Sequence, residues 1–251
     1  GAGPFSLTGQ PNAMGGREVG GLANLLSGHR DLADPDHRAE VARLWGVDSV
    51  PAQPGLTAVE MFEAAHSGRL KALRIVCTNP AHSLPDQTAV REALARCDFV
   101  VVQESFHASE TVAYADLLLP AGTWGEKDGT VTNSERRISR QRAVLPPPGE
   151  ARHDWAIGVD FGRRLAARLP ARAGATLFPY ESAEAVWNEH RETTRGRDLD
   201  ITGLSWAMLD TAGPQQWPLP EGATIGKTRL YEDGQFPTAD GRGRFHAADY
   251  L

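Results

Sequence analysis

The sequence predicts an α/β fold, a parallel sheet flanked by helices, and three observations carry that expectation. Ala72-Leu-Arg-Ile-Val-Cys77 and Asp98-Phe-Val-Val-Val102 are short apolar runs rich in β-branched residues, each running into a polar turn. Between them, Asp86 to Arg96 repeats apolar residues at helical spacing, with Val90 and Leu94 turned inward. A third run, Ala115-Asp-Leu-Leu-Leu119, stops at Pro120. Strand, helix and strand at this spacing predict parallel pairing, and the continuous apolar character predicts buried strands.

The other elements follow in order. Residues 1–30 are rich in glycine, with Gly9, Gly15, Gly16, Gly20, Gly21 and Gly28, and read as a shaped loop with a short helix near Glu18–Leu26. Asp34-Pro35 is a cap and first-turn signal for a helix from Asp36 to Trp45, with Val41, Leu44 and Trp45 on one face. Thr57 with Glu60 forms a capping box that opens a helix with Val59, Phe62 and Ala65 inward. Pro146-Pro147-Pro148-Gly149 is a stiff break. Asp154 is expected to cap a helix to Leu169, with Trp155, Val159, Leu165 and Leu169 inward. Helices near Ser182–Arg191 and Ile201–Leu209 follow, and the Pro- and Gly-rich tail from Gly213 shows no closing element. The domain expectation is a glycine-rich loop over 1–30, an α/β domain over 31–175, and a partial, loop-rich helical segment over 176–251.

Composition narrows the function classes. Hydrophobic content of 41% and charged content of 23% over 251 residues suit a globular protein. A net charge of −6 argues against a sequence-independent grip on nucleic acid. No apolar run approaches the roughly 20 residues that cross a bilayer. The opening Gly-Ala-Gly-Pro-Phe has neither the basic region nor the apolar core of a signal peptide, so a cytoplasmic location is expected. Cys77 and Cys97 lack metal-ligand spacing and read as reduced core residues. The eight histidines are scattered without such spacing.

Some motifs collect at the carboxyl ends of the expected strands, where α/β proteins keep ligands. Asn79 follows one strand; it either caps its turn or presents an amide to a ligand. Gln103 and Glu104 end the next strand, and a carboxylate there can accept from ribose hydroxyls. Lys127 sits in a turn between Gly125 and Gly129, as a solvated lysine or as a point charge for a phosphate or a pterin. Asp154 is a helix cap or a partner for a guanine edge. Arg17 is a surface residue or a fixed cation for a small anion. Gly222-Ala-Thr-Ile-Gly226-Lys227-Thr228 is not a phosphate loop, because Glu221 stands where the first glycine belongs and prolines replace the preceding strand.

Taken together, Gly3-Pro-Phe-Ser-Leu-Thr-Gly-Gln-Pro-Asn-Ala-Met-Gly-Gly-Arg-Glu-Val-Gly-Gly21, Thr78-Asn79-Pro80, Val-Val-Gln-Glu104, Ala-Asp-Leu-Leu-Leu-Pro120, Trp-Gly-Glu-Lys127 and Asn-Ser-Glu-Arg-Arg137 resemble the molybdopterin oxidoreductases, and within them the assimilatory nitrate reductases. The resemblance covers about residues 1–170 and continues more loosely to the end. It implies a dinucleotide-binding-like α/β domain holding part of a molybdenum bis(molybdopterin guanine dinucleotide), with a [4Fe-4S] cluster relaying electrons. It implies reduction of nitrate to nitrite, with a ferredoxin, flavodoxin or NADH-linked reductase as donor. On matching positions, Asn79, Gln103, Glu104, Lys127 and Asp154 become cofactor contacts and Arg17 a residue of the substrate funnel. It also implies a central fragment, inactive alone, whose metal and cluster ligands lie upstream and whose completing barrel domain lies downstream. Formate dehydrogenases and a non-catalytic electron-transfer subunit of the complex I type share this scaffold and are the alternatives.

Overall fold

The computed structural model describes residues 11–169, 177–245 and 247. Residues 3–10 of the glycine-rich motif therefore lie outside the described residues. Along the chain come α1 (Ala13–Glu18), β1 (Leu25–Leu26), β2 (Arg30–Asp31) and α2 (Pro35–Trp45), then α3 (Ala58–His66), β3 (Ala72–Val76), α4 (Pro80–Ser83), α5 (Gln87–Arg96), β4 (Phe99–Glu104) and β5 (Leu117–Pro120). After these lie β6 (Gly129–Thr132), β7 (Arg137–Gln141), α6 (Asp154–Ala166), α7 (Ala183–Thr193), α8 (Trp206–Ala212) and β8 (Gln215–Gln216). By packing, the chain divides into two units: one takes Gly1–Val50, Thr130–Arg140 and Asn188–Leu251, the other Pro51–Gly129 and Gln141–Trp187.

The second unit is the α/β body. β3, β4 and β5 lie side by side and parallel, with Ile75 opposite Val102, Val76 opposite Gln103 and Gln103 opposite Leu119. Leu73, Ile75, Val100 and Val102 point to one face and form a buried cluster with Ala65 of α3 and Val90, Ala93 and Leu94 of α5. The Thr57–Glu60 capping box opens α3 as its sequence predicts, and Asp86 accepts from Ala89 N at the start of α5. The opposite face carries Arg74 and Gln103, and α6 meets it through Phe161 and Asp154.

Several expectations are corrected here. The Leu117–Leu119 run is not a buried strand: β5 is the edge strand of its sheet, met on the far side by Arg152 at Pro120 and Ala121, and Leu117 is 43% exposed. Val59 of α3 and Leu165 and Leu169 near the end of α6 are exposed rather than inward, because those helices bury a narrower stripe than their apolar residues span. Cys77 is exposed at the end of β3, with φ of 51°, and Cys97 is half-buried. Cys97 packs against the α/β core cluster, whereas Cys77 is not a core residue; both are free thiols.

The first unit is built differently. Asp34 accepts from the backbone N–H of Asp36 and His37 and starts α2 at Pro35, as predicted, but only Val41 of its expected apolar face is buried; Leu44 and Trp45 are exposed. The glycine-rich opening is helical over Ala13–Glu18 rather than over Glu18–Leu26, and Gly15, Gly20, Gly21 and Gly28 answer to packing. A Cβ on Gly15 would meet the Asn12 side chain, whose Oδ1 accepts from Thr132 N at 3.0 Å. Glu18, 3% exposed, ends the helix by accepting from Thr132 Oγ1 at 2.9 Å and Trp217 Nε1 at 2.5 Å. Burial pushes its carboxyl up, and those two donors and the nearby His29 pull it partly back. The tail does acquire an ordered element: β8 pairs antiparallel with β7, with Ile138 opposite Gln215.

Candidate functional site

At the carboxyl end of the parallel sheet the polar side chains meet. Gln103, the fifth residue of β4, is 1% exposed; its Oε1 accepts from Arg74 Nη2 at 2.7 Å and its Nε2 donates to Asp154 Oδ1 at 2.7 Å. Asp154 Oδ2 accepts from Lys127 Nζ at 2.7 Å. The pair is partly open, with Lys127 27% and Asp154 31% exposed. Lys127 also lies 5.8 Å from the centre of the Trp124 ring. Glu104 turns its Oε1 back onto Ser105 N at 2.7 Å and Phe106 N at 3.4 Å, shaping the turn after β4.

The electrostatics follow from these partners. Burial raises the Asp154 carboxyl, but the hydrogen bonds from Lys127 and Gln103 and the Lys127 charge outweigh it, so Asp154 stays below the usual carboxylate range and ionised. The Cys77 thiol donates to Asp154 Oδ1 at 3.5 Å. Its own ionisation is pushed up to about 11, first by the partial desolvation of its sulfur against the sheet end, then by Asp154 and Glu104. Cys77 is therefore a weak donor and not a nucleophile. Sequence reasoning missed it because an apolar strand end reads as core; the sharp turn that exposes it leaves no sequence mark.

Asp154 is not the cap of α6. His153 holds that position and Asp154 is the first helical residue, its carboxylate committed to Lys127 and Gln103. Asn79 lies at the end of β3 but apart from this cluster. Its Oδ1 accepts from Thr111 N and Thr111 Oγ1 at 3.1 and 2.7 Å, and its Nδ2 donates to Glu110 Oε2 at 2.5 Å. The amide is thus spent on the turn at Glu110–Tyr114. Arg17 belongs to the first unit and is exposed in the last turn of α1. So the sheet end brings together Gln103, Lys127 and Asp154, with Glu104 next to Gln103 in β4, and leaves Asn79 beside them.

The donors and acceptors of this rim suit a nucleotide carried on a charged tail. An ionised, partly open carboxylate takes N–H groups, and a lysine beside it meets phosphate. The family model described as molybdopterin oxidoreductase matches residues 3–164. The chain belongs to the molybdopterin oxidoreductase family. Among its relatives, a nitrate reductase of Synechocystis is 44% identical over 98% of this chain and 34% of that protein. One of Klebsiella oxytoca is 48% identical over 87% of this chain and 25% of that protein, and the assimilatory nitrate reductase catalytic subunit of Bacillus subtilis is 40% identical over 91% and 31%. The chain thus spans roughly a third or less of these molybdopterin oxidoreductases. In fold it resembles the acetylene hydratase of Pelobacter acetylenicus, with a TM-score of 0.53 at 20% identity over 82% of this chain and 26% of that one.

Proposed function

We propose that this chain is the central part of a molybdenum-dependent nitrate reductase that reduces nitrate to nitrite for assimilation, in the cytoplasm. The observation that carries this reading is identity along nearly its whole length to nitrate reductases, at 44% for the Synechocystis protein, against 36% for an F420-dependent formate dehydrogenase of Methanocaldococcus jannaschii. The assimilatory relatives of Bacillus subtilis and Haloferax mediterranei, at 40% identity each, favour assimilation, although a periplasmic enzyme stands at 38%.

The α/β domain over 31–175 supplies part of the cradle for the nucleotide tails of a bis(molybdopterin guanine dinucleotide). Asp154 accepts from the guanine edge, Glu104 from ribose hydroxyls through its second oxygen, and Lys127 meets pyrophosphate or pterin. Gln103 serves through Asp154 and Asn79 through the turn it pins, since both amides are already committed. When bound, the cofactor supplies two-electron oxygen-atom transfer from nitrate. Electrons reach it through a [4Fe-4S] cluster from a ferredoxin, flavodoxin or NADH-linked reductase, with the cluster ligands outside this chain. Arg17 attracts nitrate in the funnel, on a helix that the buried Glu18 anchors.

Two measurements test this. The purified full-length parent is expected to contain molybdenum and to form nitrite from nitrate with a reduced viologen; formate oxidation without nitrate reduction would replace the reading with the formate dehydrogenase one. Arg17→Ala is expected to raise KM for nitrate about tenfold with metal content intact, by loss of one charge-assisted contact. An unaltered KM makes Arg17 ordinary surface.

A further inference from the structure

We propose that Arg74 and Gln103 are positioning residues that aim Asp154 at the guanine edge, Arg74 by dictating which end of the Gln103 amide faces the carboxylate. This rests on the nucleotide-cradle reading above and names two residues that act without touching the nucleotide.

Arg74 is the middle residue of β3 and shares the α6-facing side of the sheet with Gln103. Its guanidinium lies 4.8 Å from the Phe161 ring centre on α6, and Nη2 reaches Gln103 Oε1 at 2.7 Å. The Nε of Arg74 is buried and makes no hydrogen bond, so this charged side chain gives up hydration to stand here. A guanidinium has donors only, whereas an amide has one accepting and one donating end. With Arg74 on Oε1, the NH2 of Gln103 must face Asp154. The flipped amide would set N–H against N–H and oxygen against carboxylate. The positive charge in β3 is thereby passed on as a donor at Asp154 Oδ1, 2.7 Å away.

Gln103 is too buried to reach a nucleotide itself. Asp154 is one-third open and is pinned from both sides, by Gln103 on Oδ1 and Lys127 on Oδ2. A carboxylate so held keeps lone pairs for the N–H groups of guanine and has no freedom to swing away. The pinning is local pre-organisation: rotor freedom is removed before the ligand arrives.

The test is a double-mutant cycle in the full-length parent, read as guanine nucleotide released per polypeptide on acid hydrolysis and as the rate of its loss on dilution. Arg74→Met and Gln103→Leu are each expected to speed loss about tenfold, the scale of one hydrogen bond to a charged group. The double variant is expected to match Gln103→Leu within about twofold, because Arg74 acts only through Gln103. Arg74→Lys, which keeps a donor, is expected to recover part of the retention. Gln103→Glu keeps a partner for Arg74 but turns a carboxylate on Asp154; read at alkaline pH, where the two carboxyls cannot share a proton, it is expected to lose nucleotide at least as fast as Gln103→Leu. Multiplied losses in the double variant, or wild-type retention in Gln103→Glu, would overturn the relay. A parent with no guanine nucleotide overturns the cradle reading and the relay with it.

Discussion

Alanine at Gly226 is expected to destabilise the chain by about 3 kcal/mol, among the larger effects of a single added methyl. Gly226 is buried, and a Cβ there would stand 1.8 Å from Gln216 O and under 3 Å from Gln216 C and N. The obstacle is backbone, so no rotamer change relieves it. Gln216 is held in β8 opposite Arg137, and shifting it breaks that register. The neighbouring Gly222 is the control. It has φ of +86° but open space around its Cβ position, so alanine there is expected to cost only about 1 kcal/mol of backbone strain. Thermal or urea melts of the two variants decide this, and a Gly226→Ala variant that melts like the parent would refute the packing argument. The same contacts explain why the Gly-Ala-Thr-Ile-Gly-Lys-Thr stretch is not a phosphate loop. Arg136 donates to the carbonyls of Trp217, Lys227 and Thr228 and stacks on Trp217, so the segment is a stapled turn.

The second large effect is at Lys127. Lys127→Met is expected to lower molybdenum occupancy of the parent about tenfold, because it removes both the cation offered to the cofactor and the clamp on Asp154 Oδ2. The chain itself is expected to lose about 1 kcal/mol at pH 7, since the pair is partly screened by water. The sign with pH follows from Asp154. Its folded carboxyl lies below the ordinary range, so the pair contributes in full above that range and fades as pH falls through the folded value. Melting temperatures of variant and parent are therefore expected to differ at pH 7 and to converge in acid. Unchanged metal content would remove Lys127 from the cofactor site.

Much of the α/β body was legible because its signals are local and redundant. The Thr57–Glu60 box and the Val90–Leu94 spacing each name one element without tertiary help, as the Asp34-Pro35 start does in the first unit. What was not legible depends on partners far along the chain. Asp154 looks like a cap because Asp before a helical run usually is one; only the approach of Lys127 and Gln103 makes it a salt-bridged hub. Gln103 reads as a rim residue from its place at a strand end, yet residue parity turns it under α6. Leu117 and Leu118 read as interior from apolarity alone, and whether a strand has a neighbour on its second side is not written in its own residues. The glycines of 15–21 read as a loop because close packing and chain reversal favour the same residue.

The interleaving of the two units bears on how the polypeptide matures during synthesis. The sheet-bearing body is complete once Trp187 has emerged. Glu18, by contrast, is translated almost two hundred residues before Trp217, the indole that occupies its buried carboxylate. Until Trp217 emerges, α1 lacks the partner that fixes its end, which leaves the first unit unassembled and open to proteolysis at that stage.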